Sequence, residues 1–252
     1  MTNKEIVTKA VGELFADRDP AAVDRWVAPD YRQHSALAAD GPEALRELIA
    51  GLPTDFRYQG ARVLADGDLV AFHGVYHGFG PEGLVAFDVF RVDGAGKLAE
   101  HWDALTPVVT QTVSGRSQTD GATAITAPEL TEVNRALVAE FAEQVLVGAD
   151  YSVLTEYIST ETYEQHNPEA DDGLDGFGAA AAAWAAAGKN LVYTKVHKVI
   201  ADGEFVLLQS EGRFGVPVAY YDLFRVSAGK IVEHWDVIAP IPETLPHDNG
   251  LF

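Results

Sequence analysis

Glu100-His101-Trp102-Asp103 recurs as Glu233-His234-Trp235-Asp236. Each copy follows a strand-like segment, DVFRV from Asp88 and DLFRV from Asp222, and a Gly-Lys turn, Gly96-Lys97 and Gly229-Lys230. Aligned with one gap, residues 88–105 and 222–238 share 11 identical positions. A short apolar strand can recur by chance. Asp, Arg, Glu, His, Trp and Asp at fixed offsets cannot. The chain is therefore read as a tandem duplication that sets ionisable groups on adjacent strands in each copy.

Bulk composition narrows the partners. The 252 residues suit one large or two small domains, and the repeat favours two. At 47% hydrophobic, each half can bury its own core. With 38 acidic against 18 basic residues the net charge is -20. Such a surface repels phosphate backbones and anionic headgroups, so neither nucleic acid nor membrane is expected as a partner. The absence of cysteine removes disulfides, thiolate catalysis and Cys-based metal sites. MTNKEIVTKA lacks the apolar core of a signal peptide, and no apolar run reaches the roughly 18 residues of a membrane span. A cytoplasmic location is the expectation.

Periodicity orders the elements. Residues 4–16 place Ile6, Val7, Ala10, Val11, Leu14 and Phe15 on one helical face. Asp19-Pro20 opens a second helix that stops near Ala28-Pro29, and Tyr31-Arg32-Gln33-His34 reads as a turn or short strand. Asp40-Gly41-Pro42 opens a third helix. After Pro53 the period falls to two, with strands expected at 56–58, 61–65, 69–77, 84–92 and 98–105 and a hairpin turn at Asp66-Gly67. A Thr/Ser/Gly/Pro-rich stretch at 106–129 is long for a loop inside a compact domain and marks a boundary. The second copy repeats the order, with helices at 131–147, 151–158 and 175–187 and strands at 191–201, 204–211, 218–226 and 230–238. Tyr163-Glu164-Gln165-His166 matches Tyr31-Arg32-Gln33-His34, and Asp172-Gly173 matches Asp40-Gly41. The expected class is α+β: two tandem domains, each three N-terminal helices packed on a curved antiparallel sheet. Copy one is set at 1–108, a linker at 109–129, and copy two with the tail at 130–252.

YxQH, DG opening a helix, DGD or DGE between strands, DxFRV, GK and EHWD together resemble the SnoaL-like polyketide cyclase group, within the nuclear transport factor 2-like fold. The second copy fits best, through QHNPEADDG and GKIVEHWDVIAPIPE; the first departs at QHSALAADG and LAEHWDAL. The resemblance implies a cone of three helices against a bent sheet with a pocket inside. It implies pairing through the sheets, so that the tandem repeat forms an internal pseudo-dimer, and two such molecules could pair as a homodimer. It also implies aldol-type ring closure by acid–base side chains, without metal or organic cofactor. The fold hosts many chemistries, so function has to come from the site.

Alternation puts His101 and Asp103 on one face of their strand, about 6.7 Å apart, and Glu100 and Trp102 on the other. The same split separates His234 and Asp236 from Glu233 and Trp235. A carboxylate beside a histidine fixes its tautomer, and an apolar cone moves either pKa toward neutrality, as proton transfer requires. Asp88, among Phe87, Val89 and Phe90, is costly to bury unpaired and is expected in the pocket, as is its equivalent Asp222. Arg91 is expected outside, paired with Glu100. His34 and His166 either stand near the pocket mouth or cap backbone groups. Tyr31, His73 and His77 in copy one, and Tyr163, Gln209 and Arg213 in copy two, are the expected substrate contacts. His73 and His77 lie about 13 Å apart along one strand, too far for one ion. A set of His34, His73 and His101 is the remaining metal arrangement, and no metal is expected.

The leading expectation is a cofactor-free enzyme acting on a small or medium, polyketide-like carbonyl compound by aldol-type cyclisation or isomerisation. His34, Asp88, His101 and Asp103, with His166, Asp222, His234 and Asp236, would share the acid–base roles. One alternative is epoxide or lactone opening, which needs Arg91 in the cavity beside two carboxylates. The other is a non-catalytic module that holds a hydrophobic metabolite.

Overall fold

Thr2 caps the first helix. Its hydroxyl accepts from the Glu5 N–H, and the Glu5 carboxylate accepts from the Thr2 N–H, a reciprocal capping box. The computed structural model describes residues Met1–Phe252. The capped helix, α1 (Asn3–Val11), continues into a π-helical turn at Gly12–Ala16. A short α2 (Ala22–Trp26) follows, then β1 (Val27–Gln33). The second helix thus stops sooner than its spacing predicts, and most of YRQH is strand. Pro29 is tolerated inside β1 because that strand lies at the sheet edge, where a missing N–H breaks no ladder. Gly41, at φ 86°, supplies the left-handed turn into α3 (Gly41–Ala50), with Pro42 in the helix's first turn.

Four longer strands follow: β2 (Arg57–Asp66), β3 (Leu69–Gly78), β4 (Gly80–Val92) and β5 (Leu98–Pro107). Their order is β1-β5-β4-β3-β2, antiparallel except that β1 runs parallel to β5. A bulge at Ala99 sets the polarity of the sheet. Val92 pairs with Leu98 and Arg91 with Glu100, so Ala99 is skipped. The extra residue lets Leu98 and His101 both face the helices, which strict alternation would forbid. Val7, Ala10 and Leu14 of the first helical stretch pack there with Val70, Phe72, Phe90 and Leu98.

The second copy uses the same design: α4 (Thr131–Phe141) with a π-helical turn at Ala142–Val147, α5 (Leu154–Tyr157), β6 (Glu164–Gln165) and α6 (Gly173–Ala186). Then come β7 (Leu191–Asp202), β8 (Phe205–Phe214), β9 (Val216–Ser227) and β10 (Lys230–Pro240), in the order β6-β10-β9-β8-β7. The equivalent bulge skips Val232.

The protein forms two compact units: Met1–Val108 with Pro242–Phe252, and Val109–Ile241. The tail, expected with copy two, therefore groups with unit one, and the stretch expected as a linker is part of unit two. The cause is specific hydrogen bonding, set out below. No helix is long and apolar enough to cross a bilayer.

Candidate active site

In unit one the concave face encloses a cavity of about 230 Å³. Its floor is polar and its walls are leucines and phenylalanines. Asp88 from β4 and His101 and Asp103 from β5 meet on that floor, because Asp88 pairs with Asp103 across the strands and His101 lies two residues away on the same face.

Gln33, at the end of β1, sets the protonation pattern. Its Oε1 accepts the backbone N–H of Ser35 at 3.0 Å, which fixes the amide's orientation. The same oxygen contacts His101 Nδ1 at 2.9 Å, so Nδ1 must carry a proton. Nε2 of His101 then faces Asp88 Oδ1 at 3.2 Å. Asp88 also accepts from Tyr76 Oη at 3.0 Å. Burial opposes a charge on His101, but the bond to Asp88 and the charges of Asp103 and Asp88 outweigh it, and the imidazole is held above its ordinary pKa. Asp103 behaves differently. Burial, with the nearby Asp88 charge, pushes its carboxyl up to about 6, against the pull of His101 and a Ser35 bond. The floor thus holds a fixed His101–Asp88 pair beside a carboxyl poised near neutrality. Gln33 Nε2–H donates to the Tyr31 hydroxyl oxygen at 3.3 Å, which directs the Tyr31 proton to another acceptor. Burial raises the Tyr31 phenol, so it stays a donor.

Unit two repeats the cluster almost atom for atom. Gln165 Oε1 accepts the Asn167 N–H at 3.1 Å and contacts His234 Nδ1 at 2.8 Å. His234 Nε2 faces Asp222 Oδ1 at 3.1 Å. Asp236 is pushed up to about 6 by burial despite the opposing pull of His234, and it accepts from Asn167 Nδ2 at 2.7 Å. The tyrosine on Asp222 is Tyr193 of β7, whereas Tyr76 reaches Asp88 from β3. The cavity is what differs, at about 40 Å³. Counting from the matched glutamines, Leu45 and Leu52 of unit one correspond to Phe177 and Trp184, and all four line their cavities. Larger side chains on the third helix have filled the space.

Several expected site residues lie elsewhere. His34 and His166 face away from the cavities and stack on Trp102 and Trp235 at 4.7 and 4.6 Å between centroids. They take one-residue parity from Tyr31 and Gln33, which do line the cavity, and their ring nitrogens bond backbone oxygens of Gly250 and Ser117. His73 stacks on Phe87 at 4.2 Å on the opposite sheet face, beside Arg62, and His77 contacts Gln59. Gln209 bonds Lys198 and Tyr221, and Arg213 is exposed against Gly215 O. All four miss the cavities because their parity is opposite to that of Phe72 and Leu208, the partners of Asp88 and Asp222. Tyr163 lines its cavity, as Tyr31 does. Arg91 pairs outside with Glu100 at 2.9 Å, so the Asp–Arg–Asp arrangement of the hydrolytic alternative does not form. His34, His73 and His101 do not converge on a metal position. Donor atoms of Asp88, His101 and Asp103, of Asp222, His234 and Asp236, and of Glu164, His166 and Glu233 do lie within 4.8 Å of one another in each set. In each set a ring nitrogen already faces a carboxylate of the same set, Asp88, Asp222 or Glu233.

The SnoaL-like domain matches residues 7–101 and again 138–234. The chain belongs to the SnoaL-like domain family. No curated protein matches it. Solved structures similar to it include TsrD from Streptomyces laurentii, at 19% identity over 41% of this chain and 87% of that one, TM-score 0.35. IdmH from Streptomyces antibioticus, described as a candidate polyketide cyclase, is 18% identical over 42% and 92%, TM-score 0.36. A steroid delta-isomerase from Pseudomonas aeruginosa is 23% identical over 42% and 82%, TM-score 0.35. Both SnoaL-like segments contain the residues that build the Gln–His–Asp core of each cluster.

Proposed function

We propose that unit one is an enzyme that moves a proton next to the carbonyl of a small, neutral, largely apolar compound. The observation that carries this reading is Asp103: a carboxyl with a pKa of about 6, at the floor of a 230 Å³ cavity, beside an orienting His101–Asp88 pair. Ionised Asp103 takes the proton from the carbon next to the carbonyl. The electrons of that C–H bond form a C=C bond, the carbonyl π pair moves to oxygen, and the Tyr31 O–H stabilises the enolate oxygen. With an unsaturated ketone the enolate is a dienolate that takes the proton back from Asp103 at its far carbon, which is isomerisation. With a diketone the enolate carbon attacks the second carbonyl, closing a ring, and the resulting alkoxide takes the proton back from Asp103. His101 and Asp88 fix the charge around Asp103 and need not touch substrate.

The lining supports a neutral, apolar substrate. It contains no Lys or Arg and two carboxylates, so an anionic group cannot be held inside. A dry cavity of about 150 Å³ accepts benzene, so by proportion 230 Å³ suits about nine non-hydrogen atoms. Leu37, Leu48 and Phe79 line the cavity and are exposed, giving a longer substrate an apolar rim. Unit two keeps the cluster in a space fit for about one or two waters. It is read as scaffold.

Deuterium uptake tests this without knowledge of the natural substrate. A panel of neutral mono- and diketones is incubated with protein in D₂O, and exchange at the carbon next to the carbonyl is followed by NMR. Exchange is expected to rise through pH 6 as Asp103 ionises. Asp103→Asn is expected to lower it by about 10²–10⁴-fold. Equal exchange in wild type and Asp103→Asn refutes the assignment.

A further inference from the structure

Gln33 and Ser35 at the unit-one floor, and His34 between them, carry bonds that the chemistry does not use. Asn249 Nδ2–H donates to Gln33 O at 3.0 Å. Gly250 O accepts from His34 Nδ1–H at 2.9 Å. His247 Nε2–H donates to Ser35 O at 2.9 Å. The segment Pro242–Phe252, part of unit one, thus grips the backbone or ring of Gln33, His34 and Ser35 in turn.

Unit two shows the same grip made by unrelated residues. Ser114 Oγ–H donates to Gln165 O at 2.8 Å, as Asn249 does to Gln33. Ser117 O accepts from His166 Nδ1–H at 2.8 Å, as Gly250 does from His34. Val113 N–H donates to Pro168 O at 3.0 Å. The segment stays in contact as far as Gly121: at φ 87°, a Cβ there would lie 2.0 Å from Glu233 Oε1. Neither segment resembles the other in sequence, yet both bond the same two atoms, the glutamine carbonyl and histidine Nδ1. One belongs to the glutamine whose amide sets the cluster's tautomer, the other to the next residue in the chain.

We propose that Pro242–Phe252 is a positioning element of the unit-one cluster: by anchoring the carbonyls of Gln33 and Ser35 it keeps Gln33 Oε1 against His101 Nδ1 and Ser35 against Asp103. No residue of the segment needs to touch substrate. The ladder bond from His34 N–H to His101 O and the Asp40 bond to Gln33 N–H hold β1 in place without it. What the segment adds is the orientation of Gln33 and Ser35, whose side chains turn into the cavity.

The proposal rests on the reading of this cluster as the reacting site, but it is tested on the cluster itself. Side-chain ¹⁵N NMR of the full-length protein reports the tautomer of each histidine. The variants are a truncation ending at Pro242 and the full-length double substitution His247→Ala with Asn249→Ala. Both are expected to convert His101 from one Nδ1-protonated form to a mixture of tautomers. His234 is expected to be unchanged, because Ser114 and Ser117 remain. His247→Gln, which keeps a side-chain N–H donor, is expected to restore the His101 signal in an otherwise wild-type protein relative to His247→Ala. Unchanged His101 signals in the double substitution overturn the proposal, as does an equal change at His234, which would mark general loosening. Absence of ketone exchange in the wild type refutes the proton-transfer function alone and leaves this result standing.

Discussion

Asp236→Asn should make unit two more stable, and only above a defined pH. The Asp236 side chain is buried at 8% exposure, and its carboxyl is raised from 3.8 to about 6. The folded state therefore holds this proton more tightly than the unfolded state. Below pH ~4 both states are protonated and nothing is lost. Between the two pKa values the unfolded state releases the proton while the folded state keeps it, so stability falls as pH rises. Above 6 the full penalty applies. A shift of about two units corresponds to about 3 kcal/mol. Asparagine keeps an oxygen for the Asn167 Nδ2 bond and never ionises. The variant should match wild type near pH 4 and exceed it by up to about 3 kcal/mol at pH 8. Amide exchange of peptides from β8, β9 and β10, measured across this range, isolates unit two. Parallel stability curves for the two proteins would show that Asp236 is not held protonated by burial.

Phe177→Leu with Trp184→Leu should reopen the unit-two cavity at a cost on the order of 2–5 kcal/mol, and indole should bind the variant and not the wild type, as seen by calorimetry. Gln33→Leu removes the only acceptor for His101 Nδ1 that the cluster provides; ketone exchange should fall between about tenfold and 10⁴-fold, the scale seen when a catalytic histidine loses its tautomer-setting partner, with the fold intact by circular dichroism. His73→Asn, on the far sheet face, should leave exchange unaltered, and a large loss there would reinstate His73 as a substrate contact.

The duplication, the α+β class and the SnoaL-like resemblance were legible because they rest on patterns that survive without coordinates: an exact polar repeat and two clean periodicities. The split of EHWD into an inward His101/Asp103 and an outward Glu100/Trp102 followed from strand alternation and agrees with the geometry. The same rule, applied to Tyr31-Arg32-Gln33-His34, points to Gln33 and away from His34. Leaving that stretch open between a turn and a short strand hid it, since β1 is a short edge strand interrupted by Pro29. Tyr76 and Tyr193 were invisible for a deeper reason: they put a hydroxyl on equivalent aspartates from different strands, and only the fold shows that the two ends meet. The closing of the second cavity had a readable trace in Phe177 and Trp184, but size matters only once a residue is known to point inward. The placement of the tail had none, because it depends on three bonds to backbone and ring atoms, and backbone atoms are the same in every sequence.

The bulge at Ala99 has a consequence for how such a sheet can change. Beyond it Glu100 pairs with Arg91, His101 with Phe90 and Asp103 with Asp88, so deleting Ala99 would restore strict alternation from Leu98 onward and leave His101 and Asp103 facing the cavity. Val232 stands in the same place in β10. Ala99 and Val232 are thus spare links, residues that each strand could lose without turning its ionisable set to the other face.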